Sequence, residues 1–272
     1  MKNRFRELEN FTQEEKERLH FSFSLHYLEL KRLNLLETFF EDVLFVKKQG
    51  CSFIVQINLC DEYIPYLDEI KSTCESKLGA WPQVAATRRE NSNLTKIEFL
   101  TELSDEEYIA RGREFKSPLF DYTIENFNVK REEFCYAGQR SGTLNLANGT
   151  LHKCYADPKP QRIFDDPCKP IVFEPIGTNC GCAFCLNSSH FMSQGVIDNG
   201  DKRTYCSLRD RPEAGWFNET MHTALSGKLW DTNPSLNLSE QEKFNRKQRR
   251  VIFYYKMRSA IARPIKKIIG RK

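Results

Sequence analysis

The sequence predicts an α/β protein in which parallel strands alternate with helices, followed by a cysteine-rich module and a helical tail. Near its start, short apolar runs alternate with segments in which apolar residues recur at helical spacing. Six of the ten cysteines then lie between Cys135 and Cys185, and basic residues dominate the last thirty positions. The predicted domains are a partial barrel at 1–133, a cluster-binding module at 134–230 and a basic helical tail at 231–272.

A strand–helix–strand–helix–strand pattern accounts for the first third of the chain. Alternating aromatic residues predict the first strand, and a nearly continuous apolar run predicts a second strand that is buried on both faces. The predicted elements are a strand at 20–25, a helix at 33–49, a strand at 51–59, a helix at 61–78 and a strand at 81–87. Short connections between such elements predict a parallel sheet with right-handed crossovers, as in half of an α/β barrel.

Further helices are predicted where Ser or Thr precedes Glu by three positions, the spacing of a capping box. They are expected at about 12–20, 104–115 and 239–257. Residues 120–134 are aromatic and acidic and receive no assignment, whereas 195–215 is expected to be a loop. One short strand is predicted at 171–173, in a stretch where repeated prolines exclude long regular elements.

Length and composition exclude several classes of protein. The 272 residues have the apolar (40%) and charged (29%) fractions of a globular protein. No apolar run approaches the roughly 20 residues of a membrane span, and residues 1–20 lack the apolar core of a signal peptide. We therefore expect a cytoplasmic protein whose cysteines serve metal binding, redox chemistry or ordinary burial rather than disulfides.

The positive charge is concentrated in the tail. Of 41 basic residues, twelve lie in 243–272, which leaves 29 basic against 37 acidic residues and a body of about −8. A basic amphipathic helix is typical of solvated terminal helices, membrane surfaces and nucleic-acid binding. Because no base-reading motif accompanies the tail, the solvated helix is favoured and nucleic acid is a disfavoured partner.

The cysteine-rich module predicts a metal centre with thiolate ligands. Cys182 and Cys185 have the Cys-x2-Cys spacing that lets two sulfurs face one metal, and Cys135 and Cys154 lie at the two ends of a predicted hairpin with a turn at Asn148-Gly149. Soft thiolates suit zinc or an iron–sulfur cluster, which the spacing does not distinguish.

The cysteines differ in how well they fit this centre. The firmest ligands are Cys135, Cys154 and Cys185, and the two-residue spacer favours Cys182 over Cys180 for the fourth place. Outside candidates are Cys168 and Cys206. The cysteines in strand or helix patterns fit a buried core better, and these are Cys51, Cys60 and Cys74.

Three phrases of the sequence, with the spacing of Cys135, Gly149 and Cys154, resemble a branch of the radical S-adenosylmethionine superfamily found among polysaccharide-biosynthesis genes. They are Phe23-Ser-Leu-His-Tyr-Leu-Glu-Leu30, Phe134-Cys-Tyr-Ala-Gly138 and Cys185-Leu-Asn-Ser-Ser-His-Phe-Met192. The cysteine pattern is similar to a SPASM or twitch-type module. The resemblance covers about residues 15–230, implies four cysteines around an auxiliary [4Fe–4S] cluster, and favours Cys180 as the fourth ligand.

The sequence departs from that superfamily in the catalytic cluster. Radical S-adenosylmethionine enzymes bind this cluster through Cys-x3-Cys-x2-Cys after the first barrel strand, and no three cysteines here have that spacing. The resemblance therefore implies the C-terminal half of a partial barrel. Use of S-adenosylmethionine would require a subunit or fragment that carries the missing barrel part and its cluster, and an electron donor. Whether the chain is an enzyme stays open.

Ligands of such barrels gather at the carboxyl ends of the strands, where the sequence places Gln56, Asn58 and Arg88. These are the candidate cofactor-binding residues, and Arg88 suits a carboxylate or phosphate. The favoured function is [4Fe–4S] binding in a radical S-adenosylmethionine-like protein. The alternatives are a structural zinc adaptor and a basic, nucleic-acid-binding zinc protein, and iron content separates the first from both.

Overall fold

The computed structural model describes residues 5–89, 97–155, 157, 160–178, 180, 185 and 188–250. They form two compact units, each made of three stretches. The first comprises the described residues of Met1–Arg131, Ala183–Gly195 and Gly200–Lys228, and the second those of Glu132–Cys182, Val196–Asn199 and Leu229–Lys272. Residues 200–228, which the sequence analysis grouped with the cysteines, thus belong to the first unit, and the predicted domain ranges stay predictions.

A three-stranded parallel sheet lies in the core of the first unit and confirms the predicted α/β class. Its strands are β1 (His20–Ser24), β2 (Ser52–Leu59) and β3 (Gln83–Ala86), and they are ordered β1-β2-β3. In the register, Phe23 pairs with Val55, and Ile57 of the same central strand pairs with Val84. Most residues of β2 are buried apolar side chains, as expected of a strand covered on both faces.

The first unit contains eight α-helices among its described residues, one before β1 in the sequence, others between the strands and the rest after β3. In order they are α1 (Gln13–Glu17), α2 (Tyr27–Arg32), α3 (Leu36–Lys48), α4 (Leu67–Leu78), α5 (Asp105–Arg113), α6 (Pro118–Glu125), α7 (Tyr205–Arg209) and α8 (Glu219–Ser226). The predicted helix over 61–78 is a 3-10 segment, Asp61–Tyr66, followed by α4. Pro65 lies in the 3-10 segment, and its missing N–H agrees with the later start of the α-helix.

The second unit contains a small antiparallel sheet with a hairpin at the predicted turn, but Cys135 is not at one end of this hairpin as predicted, because it pairs with Gly177 and Ile197 instead. Its strands are β4 (Thr143–Asn145), β5 (Thr150–His152) and β6 (Gln161–Arg162). The strand predicted at 171–173 is wrong. Val172 instead donates its N–H to the side-chain oxygen of Gln161 and accepts from the side-chain nitrogen, each at 2.8 Å, so an amide side chain replaces a strand partner.

The second unit also holds α9 (Leu229–Thr232) and α10, which is helical over 238–250 within the described residues. The cap of α10 is Asn237 rather than Ser239. The N–H of Asn237 donates to the Glu240 carboxylate (2.8 Å) while the Glu240 N–H donates to Asn237 Oδ1 (3.0 Å). The predicted remainder of this helix and the basic tail beyond 250 lie outside the described residues. Within the part that is described, no helix combines the length and apolar character needed to cross a membrane.

Candidate metal centres

Cys135 is held by backbone contacts in the second unit. Its N–H donates to the Gly177 carbonyl (3.2 Å) and its carbonyl accepts from the Gly177 N–H (2.9 Å), as in an antiparallel pair. A second bridge joins Cys135 to Ile197. The flanking Phe134 and Tyr136 are buried, whereas Cys135 is half-buried. Because successive side chains of an extended chain alternate, the thiol lies on the opposite face from these two rings.

Cys154 is delivered by the hairpin of β4 and β5. Thr143 pairs with His152, the last residue of β5, and Cys154 follows His152 by two residues. The chain then turns, because the Cys154 carbonyl accepts from the N–H of Asp157 (3.0 Å). The half-buried Cys154 therefore lies in the turn that immediately follows the hairpin.

Gly138 marks the place where the segments that carry these cysteines meet. Its φ is +92°, and a Cβ there would lie 2.4 Å from the Glu174 carbonyl oxygen and 2.6 Å from Cγ of Lys153. The ammonium group of Lys153 is also 3.8 Å from the Glu174 carboxylate. Only glycine combines this backbone conformation with this lack of space. The segment after Cys135 thus packs directly against the residue before Cys154.

The position of Cys180 is limited by Gly177, which precedes it by three residues. Cys180 is exposed and follows the residue that pairs with Cys135 by three positions. Paired Cα atoms in such a bridge are about 5.5 Å apart, and three residues extend by at most about 11 Å. Cys180 therefore lies within about 16 Å of Cys135. The segments that carry Cys135 and Cys154 meet at Gly138, but among the described residues the ligand atoms of Cys135, Cys154 and Cys180 do not form a group within 4.8 Å of one another.

The remaining cysteines are placed as follows. Cys182 lies outside the described residues, and the half-buried Cys185 is grouped with the first unit. Their assignment as ligands therefore stays a prediction. The expected core positions of Cys51 and Cys74 are confirmed, since their exposures are 4% and 0%. Burial raises the pKa of the Cys74 thiol to about 12, which keeps this side chain protonated.

The predicted cofactor-binding residues differ in position. Asn58 is exposed and is the next-to-last residue of β2. Arg88 is also exposed; it follows β3 and forms a bridge with Phe99. Both lie at the carboxyl edge of the sheet. Gln56 lies in the middle of β2, opposite Ser24 of β1. Their role in binding a cofactor stays a prediction.

A second group of metal-ligating side chains lies in the first unit. The ligand atoms of Cys206, Asp210 and His222 are all within 4.8 Å of one another. Cys206 lies in α7, Asp210 ends that helix and His222 lies in α8. Cys206 and Asp210 are 2% and 8% exposed, whereas His222 is exposed. The group thus combines two buried ligands with one at the surface.

Burial governs the ionisation of the two buried ligands. It raises the pKa of the Asp210 carboxyl, although N–H groups of Arg211 and Phe217 oppose this change. Burial also raises the pKa of the Cys206 thiol. A hydrogen bond with Ser226 lowers this pKa, and the negative charge of Asp210 raises it. Both groups are therefore held toward their neutral forms without a cation beside them.

The sequence alone does not predict that Cys206, Asp210 and His222 lie together. Cys206 was only an outside candidate for the cluster, and 195–215 was expected to be a loop. The available indication was local: Thr204 caps α7 by accepting from the Ser207 N–H (3.1 Å), and Cys206 and Asp210 have the i,i+4 spacing of one helix face. His222 joins them only through the packing of α8, which the sequence does not indicate.

Comparison with known proteins adds no assignment. No protein-family model, no curated protein and no solved structure matches this chain. The function of this chain is therefore inferred from its sequence and from its two groups of metal-ligating side chains.

Proposed function

We propose that this chain binds a [4Fe–4S] cluster through cysteines of the module predicted at 134–230, as a radical S-adenosylmethionine-like protein. The observation that supports the proposal most directly is the meeting of the segments that carry Cys135 and Cys154, with Gly177, three residues before Cys180, paired to Cys135. Cys135 pairs with Gly177, and Gly138 packs against the residue before Cys154. Thiolate is the ligand that iron–sulfur clusters require, so the donor set fits the cofactor.

The complete ligand set is proposed on the spacing of the cysteines. Cys135 and Cys154 are its firmest members, Cys185 is the third, and either Cys180 or Cys182 is the fourth. The loops that carry Cys135 and Cys154 are held by glycine contacts and main-chain hydrogen bonds. Such loops can orient ligands before a cluster is bound, which lowers the entropy lost on binding.

The radical chemistry of related enzymes enters only as a proposal. A bound auxiliary cluster would accept or relay one electron or hold a substrate, and reductive cleavage of S-adenosylmethionine would need a second cluster. This sequence contains no Cys-x3-Cys-x2-Cys for that cluster. We therefore propose a partner that supplies it, with Asn58 and Arg88 at the carboxyl edge of the sheet as candidate contacts of the cofactor.

The test is iron, sulfide and zinc analysis with a visible spectrum, on full-length protein purified without oxygen. We expect about four iron and four sulfide per chain, since a [4Fe–4S] cluster contains four of each. Cys135→Ser and Cys154→Ser are each expected to lose most of this iron and the visible absorbance. One tightly bound zinc, with no iron and no visible band, would instead support the structural zinc alternative.

Cys168→Ser provides the matched control. Cys168 is exposed and lies in the second unit, outside the segments that meet at Gly138, and its N–H donates to Asp166 Oδ1 (3.2 Å). The variant is expected to retain the iron content of the parent protein. Cys180→Ser and Cys182→Ser, compared side by side, identify the fourth ligand. Equal iron loss from the Cys168 and Cys135 variants would contradict the proposed ligand set.

A further inference from the structure

Cys206, Asp210 and His222 lie on neighbouring elements of the first unit that are fixed by short-range contacts. The Asp210 N–H donates to the Cys206 carbonyl (2.9 Å), so both side chains lie along one turn at the end of α7. His222 lies in α8, four residues after the cap Asn218, whose carbonyl accepts from the His222 N–H (2.8 Å). The hydroxyl of Ser226, one turn further, hydrogen-bonds with Cys206. One face of α8 thus meets the end of α7.

The buried Asp210 carboxylate has a fixed orientation, and the basic side chain beside it is the imidazole of His222. Its Oδ1 accepts from the N–H groups of Arg211 (2.7 Å) and Phe217 (3.2 Å). The side chain of Arg211 turns away and donates to the Trp81 carbonyl (3.1 Å). Among the described residues, no Lys or Arg forms an ion pair with Asp210. A buried carboxylate is costly without a counter-charge, which leaves Oδ2 suited to a metal cation.

We propose that Cys206, Asp210 and His222 form a zinc site that is separate from the cluster cysteines. Thiolate, imidazole and carboxylate are the three ligand types that zinc takes in proteins, and three protein ligands leave a fourth position for water. Because His222 is exposed, water can reach the group from the side of this residue. The two N–H groups on Asp210 Oδ1 act as outer contacts that hold a ligating carboxylate in place.

The spacing of the ligand atoms is close to what zinc requires. Bond lengths of about 2.0–2.3 Å and tetrahedral angles put ligand atoms about 3.5 Å apart. The three atoms lie within 4.8 Å of one another, so an inward movement of about 1 Å completes the site. His222 can supply this movement because its side chain is exposed on α8, whereas Cys206 and Asp210 are held by buried contacts.

The test compares zinc binding by the full-length protein and by His222→Ala, using a competing chelator to measure affinity and the number of bound ions. We expect the parent chain to bind one more tight zinc ion than the variant. Loss of a direct ligand should weaken this site by at least about tenfold, the lower bound for loss of an outer contact. Cobalt substitution should give a thiolate charge-transfer band that weakens in the same variant.

Two control variants separate this site from folding and from the cluster. His26→Ala removes another exposed histidine of the same unit and should keep the full zinc count. Cys135→Ser should also keep the zinc ion that depends on His222, even if the cluster proposal fails and zinc occupies those cysteines. Equal zinc number and affinity in the parent and His222→Ala proteins would overturn the proposed site.

Discussion

At the scale of single residues, Ser117 joins β3 to the start of α6 through one hydroxyl. The side chain is 1% exposed and donates to Oε1 of the buried Gln83 (2.6 Å). It also accepts from the N–H of Val84 in β3 (3.0 Å) and from the N–H of Phe120 (3.3 Å), where it caps α6. One small polar group therefore satisfies buried groups of a strand and of a helix start.

Ser117→Ala is expected to lower the free energy of unfolding by about 2–4 kcal/mol. Loss of a helix cap costs about 1 kcal/mol, and a buried N–H or carbonyl left without its partner adds about 1–3 kcal/mol. Urea denaturation followed by circular dichroism measures the change. Ser104→Ala is the matched control, because exposed Ser104 caps α5 through the Glu107 N–H alone (3.2 Å). It should cost only about 1 kcal/mol, and equal effects would refute the role assigned to Ser117.

At the scale of elements, α5 and α6 approach each other closely at Gly112. A Cβ on Gly112 would lie 2.1 Å from Cζ of Phe120, a ring that is 0% exposed. Buried rings are close-packed and have little room to shift. The glycine is therefore required by the contact between the helices, although glycine inside a helix is normally unfavourable.

Gly112→Ala is expected to destabilise the protein by about 1–3 kcal/mol, the usual effect of overpacking, despite the better helix propensity of alanine. The penalty should largely disappear when Phe120→Leu is already present, since the smaller side chain makes room. A double-mutant cycle of denaturation measurements tests this coupling. Gly227→Ala is the control, because nothing lies within 4 Å of a Cβ at Gly227. Additive effects of Gly112→Ala and Phe120→Leu would contradict the proposed contact.

The strands and helices of the first unit show which elements the sequence can predict. The strands predicted at 20–25 and 51–59 agree with β1 and β2 to within one residue at each end, and the helix predicted at 33–49 agrees with α3 except that α3 begins at Leu36. Helix α6 was missed inside the unassigned stretch, although Ser117-Pro118 is a typical cap and first helical residue. Helix α7 was missed because it has only five residues and no clear apolar period.

At the scale of the whole molecule, each unit combines stretches that are far apart in the sequence. Residues 183–195 and 200–228 join the first unit, and 196–199 joins the second. The bridge between Cys135 and Ile197 joins two of these stretches, whereas the pairing of Cys135 with Gly177 and the packing of His222 near Cys206 each lie within one stretch but link residues that are not neighbours in the sequence. Local spacing could therefore predict which cysteines are candidates, but it could not predict which side chains meet.

Stability of the whole molecule should depend on pH through His20. This histidine packs against Phe217 and Tyr205, with ring centroids 4.7 and 5.9 Å apart, and neither ring nitrogen has a hydrogen-bond partner. Burial, and secondarily the positive charge of Arg209, lowers its pKa from 6.5 to about 4. Between these values the unfolded chain binds a proton that the folded chain does not. This histidine therefore makes stability fall as the pH falls through that interval.

From pH 7.5 to pH 5, this difference in proton binding should remove about 2 kcal/mol from the free energy of unfolding. His20→Phe keeps an aromatic ring between Phe217 and Tyr205 but cannot take up a proton. Over this interval the variant should therefore lose about 2 kcal/mol less than the parent protein. It should also be the more stable of the two at pH 5, because two unpaired ring nitrogens are removed from the interior. Denaturation curves at several pH values measure both effects, and parallel pH profiles of parent and variant would show that His20 does not determine this dependence.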